Sequence, residues 1–151
     1  DADAFDPLHE LLEAQAYRLA FWRVASDEIN YRRFFDVNEL AALRMENETV
    51  FAATHALLFD LLAEGRIDGL RIDHPDGLYD PAAYFRRLQE RYAQVVQIDA
   101  APGDRPLYVT VEKIVAPFER LPESWAVHGT TGYRFANVLN GLFVDATNEA
   151  K

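Results

Sequence analysis

Between Gly69 and Ile114 the chain reads as strand, turn, capped helix and strand, and this order constrains its fold more than any other feature. Gly69-Leu70-Arg71-Ile72-Asp73 has the character of a short strand. It is ended by His74-Pro75-Asp76-Gly77, whose proline and glycine cannot extend a ladder and so form a turn. Asp80-Pro81 supplies a cap and a proline for the first helical turn, and Tyr84, Phe85, Leu88 and Tyr92 then line one side of a helix. After a loop at Ala100–Arg105, the run Leu107-Tyr108-Val109-Thr110-Val111-Glu112-Lys113-Ile114 is β-branched, mostly apolar and of the length of a buried strand. A strand–helix–strand crossover makes its two strands parallel and is almost always right-handed. The ends bearing Asp73 and Glu112 are therefore expected to point the same way.

The flanking segments are read by the same signals. Asp6-Pro7 opens a helix, with Asp6 as N-cap and Leu8, Leu11, Leu12, Leu19 and Trp22 as its apolar stripe, predicted to run to about Val24. Ser26 to Asn38 mixes polar and aromatic residues at irregular spacing and reads as an ordered loop. A short helix is expected over Glu39–Met45. Asn47 then caps a longer one, in which Val50, Phe51, Thr54, Leu57, Leu58, Leu61 and Leu62 recur at helical spacing until Gly65 stops it. Beyond Ile114 the chain reads as loop to Gly132, then as helix through Asn137, Leu139 and Leu142. No repeat, linker or low-complexity tract interrupts it.

The expected organisation is a single domain over 1–151, with a helical and loop lead-in at 1–46 and βα units over 47–145. With 151 residues, half of them hydrophobic, the chain is long enough to bury a core. Its 15 basic and 25 acidic side chains leave a net charge of −10. Such a surface opposes nucleic acid and anionic membranes as partners and suits a neutral or cationic ligand. The absence of Cys excludes disulfides, thiolate nucleophiles and cysteine zinc sites. No secretory or membrane-inserting stretch is evident, so a reducing cytoplasm is the expected compartment. The positive charge is nearly all Arg, with Lys113 and Lys151 the lysines, a bias that reads as genomic composition.

Two carboxylates at the carboxyl ends of parallel strands, Asp73 and Glu112, are the chemical feature to explain, because that edge is where sites form in α/β sheets and barrels. Retaining glycosyl transfer needs an ionised carboxylate as nucleophile and a protonated one as acid, about 5 to 5.5 Å apart. Neighbouring strands lie about 4.8 Å apart, so the spacing is attainable. Arg71, two residues before Asp73, faces the same side and would hold it ionised. Glu112, beside Val111 in an apolar strand, is expected in a desolvated setting that favours its proton-donating form. The pattern alone leaves other readings open: an aspartate at a strand end also forms turns, and a strand glutamate also lies at a solvated edge. Asp73, His74 and Asp76 also have the chemistry of a metal site, although no second histidine falls at ligand spacing. His9 and His55 lie in predicted helices as surface or core residues, and His128 lies in a loop without an evident partner.

Gly69-Leu70-Arg71-Ile72-Asp73-His74 resembles the nucleophile-bearing region of the α-amylase superfamily, with Gly, Arg and Asp at alternate positions at the end of the fourth barrel strand. Val111-Glu112-Lys113-Ile114 resembles the region carrying the acid/base glutamate at the end of the fifth. Asp36-Val37-Asn38 is similar to the stretch that precedes the third barrel helix. The longer strings from Asn30 to Ala41, from Asp68 to Leu78 and from Gly129 to Tyr133 resemble, within that superfamily, the isomerases that build trehalose ends on maltooligosaccharides. The likeness runs from the first helix to Asp145.

That resemblance implies the middle βα units of a (β/α)8 TIM-type barrel preceded by helices. It also implies intramolecular transglycosylation, in which the reducing-end α-1,4 link of a maltooligosaccharide becomes an α,α-1,1 link, without cofactor or metal. Asp73 would be the nucleophile, Glu112 the acid/base and Arg71 the group that positions Asp73. Tyr31, Arg33, Asn38, His74, Tyr79 and Lys113 would hold substrate and exclude water. The chain departs from the superfamily in lacking an aspartate region after the third strand and a carboxylate near the seventh. Arg134 also stands where an acidic residue is expected. A whole barrel takes about 250 residues, so this chain is expected to be a fragment with little turnover by itself and with uncovered strand edges prone to self-association. The alternative is a non-catalytic α/β domain for sugar binding or assembly.

Overall fold

The computed structural model describes residues 5–148. The chain divides into two compact units, Asp1–Ala42 and Leu43–Lys151.

In the first unit, helix α1 spans Asp6–Glu13, well short of the predicted Val24. Pro7 lies in its first turn as expected, but Asp6 is already helical and Phe5 occupies the cap position without a side-chain hydrogen bond. A 3-10 turn at Trp22–Val24 and a single turn of helix, α2 at Ala25–Glu28, follow. The early stop has a physical reason. Short helices are marginal unless an apolar face is packed, and no described residue of this unit is buried. Leu19 and Trp22 remain largely exposed, and the Trp22 ring meets near neighbours in sequence such as Phe21 and Arg23.

Strands β1 (Arg33–Phe34) and β2 (Val37–Ala41) form an antiparallel hairpin where a loop and then a short helix were expected. The register shifts between Arg33 and Phe34, which breaks the two-residue alternation that marks a strand in sequence. Phe35 turns the corner with φ 52°, a conformation uncommon for a bulky residue.

The second unit begins with α3, Glu48–Ala63, and here the cap signals hold in detail. The Asn47 side chain accepts hydrogen bonds from the Thr49 and Val50 amides. At the other end Gly65, at φ 65°, donates to Leu62, and the following Arg66 amide donates to Leu61. These paired bonds satisfy carbonyls that a helix end leaves open. The buried face consists of Phe51, His55, Phe59 and Leu62, while Leu57 of the predicted stripe is 71% exposed. A helix apolar on most sides does not reveal from sequence which side faces inward.

Strand β3 (Gly69–Ile72) leads through His74 to a 3-10 turn at Pro75–Gly77 and then to α4, Pro81–Val95, capped by Asp80 through the Ala83 amide. Strand β4 (Tyr108–Val111) pairs parallel with β3, Gly69 opposite Tyr108 through Ile72 opposite Val111. It is shorter than the predicted Leu107–Ile114 because the ladder stops where β3 ends. A third strand, β5 (Gly129–Thr130), lies parallel on its far side, within a stretch read from sequence as loop. Two residues are too few for any periodicity to register. Helix α5 spans Arg134–Gly141, close to expectation.

The core lies between β4 and the helices α3 and α4. Phe85, Leu88, Leu107, Val109 and Val111 are fully buried, each worth about 1.5–3 kcal/mol relative to exposure. Trp125, from the segment before β5, packs 5.2 Å from the Phe85 ring. The buried Gln89 side chain replaces missing strand partners. Its amide nitrogen donates to the carbonyls of Leu107 and Ala126, and its oxygen accepts from the Leu107 amide. His55 stacks on Phe51, donates from Nδ1 to the Phe51 carbonyl and accepts from the Tyr84 hydroxyl at 2.9 Å.

Phe85→Ala should lower the stability of this unit by about 3–5 kcal/mol, whereas Leu57→Ala should change it by less than about 0.5 kcal/mol; urea midpoints compare the two. Burial makes His55 harder to protonate and pushes the Tyr84 hydroxyl up to about 12. The unfolded chain therefore takes up a proton first as pH falls below 6.5 and releases one first as pH rises past 10. Stability should be greatest between these values, and the decline on the acid side should be smaller in His55→Phe.

Candidate active site

The three parallel strands end flush. Ile72, Val111 and Thr130 share one row, and the residues that follow them are set by backbone bonds that continue the ladder: Glu112 N–H donates to Ile72 C=O, and Thr131 N–H to Val111 C=O, both at 2.8 Å. Asp73, Glu112 and Thr131 thus stand at the carboxyl edge of neighbouring strands. Side chains two residues apart on a strand share a face, which puts Arg71 beneath this row on the side of Asp73.

The Arg71 guanidinium joins all three. Its Nη1 lies 3.5 Å from Asp73 Oδ1, its Nη2 2.9 Å from Glu112 Oε2, and its Nε donates to Thr131 Oγ1 at 3.2 Å. One planar cation therefore holds two carboxylates on the same face. Asp73 and Arg71 are half or more exposed and Glu112 about a third, so these pairs add little stability and act chiefly to orient. The apolar setting expected for Glu112 is not present, because the arginine it shares with Asp73 lies against it.

His74 follows directly, with φ 44°. A non-glycine residue in this region carries strain of about 1–3 kcal/mol and is held only where its surroundings over-determine it. Its imidazole lies over Gly77, where an added Cβ would come within 2.9 Å of the ring. Lys113, only 12% exposed, is clamped between carboxylates, with Nζ 3.1 Å from both Asp76 Oδ2 and Glu119 Oε1. The Glu119 hydrogen bond chiefly, with help from Asp76, keeps the ammonium above the usual lysine range despite burial, and Lys113 in turn lowers Glu119. Lys113 thereby ties the turn after β3 to the segment after β4. Thr130 Oγ1 donates to the Lys113 carbonyl at 2.6 Å, and Gly132 lies against the same carbonyl.

The remaining residues singled out from sequence fall elsewhere. Tyr31, Arg33 and Asn38 make their own cluster in the first unit: the Tyr31 hydroxyl donates to the Asn38 carbonyl at 2.9 Å, and Arg33 donates to the Asn38 side chain and pairs with Asp36. Tyr79 is 76% exposed and borders a hollow of about 140 Å³ with Met45, Asp80 and Arg87. A larger hollow of about 390 Å³ lies at the opposite end of the sheet, beside Pro106 and the last turns of α4, away from the carboxylates. Among the described residues no three His, Asp or Glu side chains converge as a metal site would need, so Asp73, His74 and Asp76 do not form one. No described helix is long and apolar enough to cross a membrane. His128, read from sequence as lacking a partner, accepts from the Val109 amide through Nδ1 and packs on Tyr108. His9 is exposed and His55 is core. Sequence reasoning missed Thr131, Asp76 as a lysine partner and Glu119. Thr131 was visible only as part of the string Gly129–Tyr133, since its strand is too short to read.

Fold and edge together define a mixed α/β segment that presents paired carboxylates at the carboxyl ends of adjacent parallel strands. No family model matches the chain. Proteins of two Mycobacterium tuberculosis strains that carry the name maltooligosyl trehalose synthase are each 38% identical to it over 138 residues, 91% of this chain. The solved structure of maltooligosyltrehalose synthase from Arthrobacter ramosus superposes with a TM-score of 0.72 at 43% identity over 94% of the chain. A point mutant of that enzyme gives 0.66 at 46% identity over 83%. The chain resembles maltooligosyltrehalose synthase along nearly its whole length, in sequence and in structure alike. It spans 16% of the length of the mycobacterial relatives and 17% of the Arthrobacter chain.

Gly132→Ala would set a Cβ 2.5 Å from the Lys113 carbonyl oxygen, a backbone atom that cannot step aside alone. It should destabilise the second unit by about 1–3 kcal/mol, read as a lower urea midpoint, whereas Gly129→Ala, which meets open space, should cost less.

Proposed function

We propose that this chain is the part of a maltooligosyltrehalose synthase that carries the nucleophile and the acid/base, the middle βα units of a (β/α)8 barrel, and that it serves intramolecular transglycosylation. The observation that carries the reading is the Arg71 guanidinium held between Asp73 and Glu112 on one strand edge. In the first half-reaction Asp73 attacks the anomeric carbon of the sugar next to the reducing end. The bond to the 4-oxygen breaks, Glu112 protonates that oxygen, and glucose is freed while the rest of the chain stays esterified to Asp73. In the second, Glu112 accepts the proton of the glucose 1-hydroxyl, whose oxygen attacks the same carbon and displaces Asp73. Two inversions leave the anomeric configuration retained, and the new link is α,α-1,1.

Water must be kept from the ester, or hydrolysis replaces transfer. His74 and Tyr79 beyond β3 are the groups proposed to hold glucose in place, and Tyr31, Arg33 and Asn38, clustered within the first unit, are proposed as substrate-binding groups in their own right. Lys113 is proposed to serve substrate from a position braced by Asp76 and Glu119. No cofactor takes part, and the Cys-free composition fits a cytoplasmic enzyme. The open edges of β3 and β5 and exposed residues such as Phe135, Leu142 and Phe143 favour self-association when the segment stands alone. Alone it turns over little, since such constellations act as a unit.

The test uses the complete protein that carries this segment, with maltopentaose as substrate. The parent should form a non-reducing product, and Asp73→Asn and Glu112→Gln should each lose at least about a thousandfold in kcat. Parental activity in either variant overturns the assignment.

A further inference from the structure

We propose that Thr131 is a positioning residue for the reaction: its hydroxyl aims the Arg71 guanidinium so that one fork reaches both carboxylates. This rests on the function proposed above. A guanidinium is planar, so the direction of its Nε–H fixes where the two terminal nitrogens point. Thr131 Oγ1 accepts that Nε–H at 3.2 Å and donates its own proton to the Val111 carbonyl at 3.3 Å, which turns a lone pair toward Arg71. The Thr131 backbone is itself tied to Val111 through its amide, so the hydroxyl is referred to the β4 frame rather than to a mobile loop. The two carboxylate contacts are unequal, 2.9 Å to Glu112 and 3.5 Å to Asp73. Without the third anchor the guanidinium is free to turn toward the closer partner, and Asp73 loses the contact that orients it for attack.

The position follows from the flush edge. β5 contributes two paired residues, and the amide of the next one still bonds the Val111 carbonyl, so the ladder carries Thr131 to the edge beside Arg71. Thr131 is exposed, so its hydroxyl is not required to satisfy a buried group. Valine keeps the shape and removes both hydrogen bonds, while serine keeps the bonds and removes a methyl group.

The experiment is steady-state kinetics of the complete protein on maltopentaose. Thr131→Val should lower kcat about tenfold to a hundredfold with KM within about twofold, Thr131→Ala should behave alike, and Thr131→Ser should restore most of kcat. In an Arg71→Lys background, which lacks the Nε donor, Thr131→Val should cause no further loss. Parental kcat in both Thr131→Val and Thr131→Ala, a raised KM at unchanged kcat, a serine variant as impaired as the valine variant, or full additivity with Arg71→Lys would each overturn the assignment of Thr131 alone. Parental activity in Asp73→Asn would instead overturn the reading on which it rests.

Discussion

Parallel pairing of β3, β4 and β5 in a register that ends on a single row is the constraint from which the rest of the molecule follows. Because the strands stop together, the three residues after them reach one edge, two of them, Glu112 and Thr131, by backbone hydrogen bonds that continue the ladder. A site built on strand ends inherits the precision of the ladder, and this is why carboxyl edges of parallel sheets so often carry chemistry. Slipping β4 by one residue would turn Glu112 to the other face and leave Arg71 with one carboxylate.

The register is defended from behind. Val109 and Val111 alternate into the core against Phe85 and Leu88, so a slip would expose them and bury Thr110. Gln89 reinforces this by pairing with both backbone groups of Leu107 at the strand entrance while reaching Ala126 ahead of β5. One side chain thus sets where two strands begin. At the other end Lys113, Asp76 and Glu119 tie together the segments that leave β3 and β4. The edge is held by core packing on one side and by ion pairs on the other.

The second unit was largely legible because its signals are local and strong. Asn47, Gly65 and Asp80-Pro81 act within one helical turn, and β3 and β4 are runs of apolar and β-branched residues with turn formers beside them. The first unit was misread because its cues conflict. The stripe from Leu8 to Trp22 suggests one long helix, yet none of its described residues is buried, and the bulged hairpin at Arg33–Ala41 hides its period behind adjacent aromatics. β5 was missed for want of length. In the candidate site, Asp73, Glu112 and Arg71 were legible from strand ends and alternation, whereas Thr131 and Glu119 reach theirs through contacts some sixty and six residues away in sequence.

The amino-acid order was enough to show α3, β3, α4, β4 and α5 in the second unit, that β3 and β4 run parallel, and that two acidic groups end them, because caps, breakers and apolar runs act over a few residues. It also carried the likeness to maltooligosyltrehalose synthase in its strings around Asp36, Asp73 and Gly129. Only the assembled fold shows that a third strand completes the edge, that the inward face of α3 passes through His55 rather than Leu57, and that Arg71 lies closer to Glu112 than to Asp73. These depend on which surfaces and charges meet across the fold. Pairing of that kind is set by register and packing, and no local pattern encodes it.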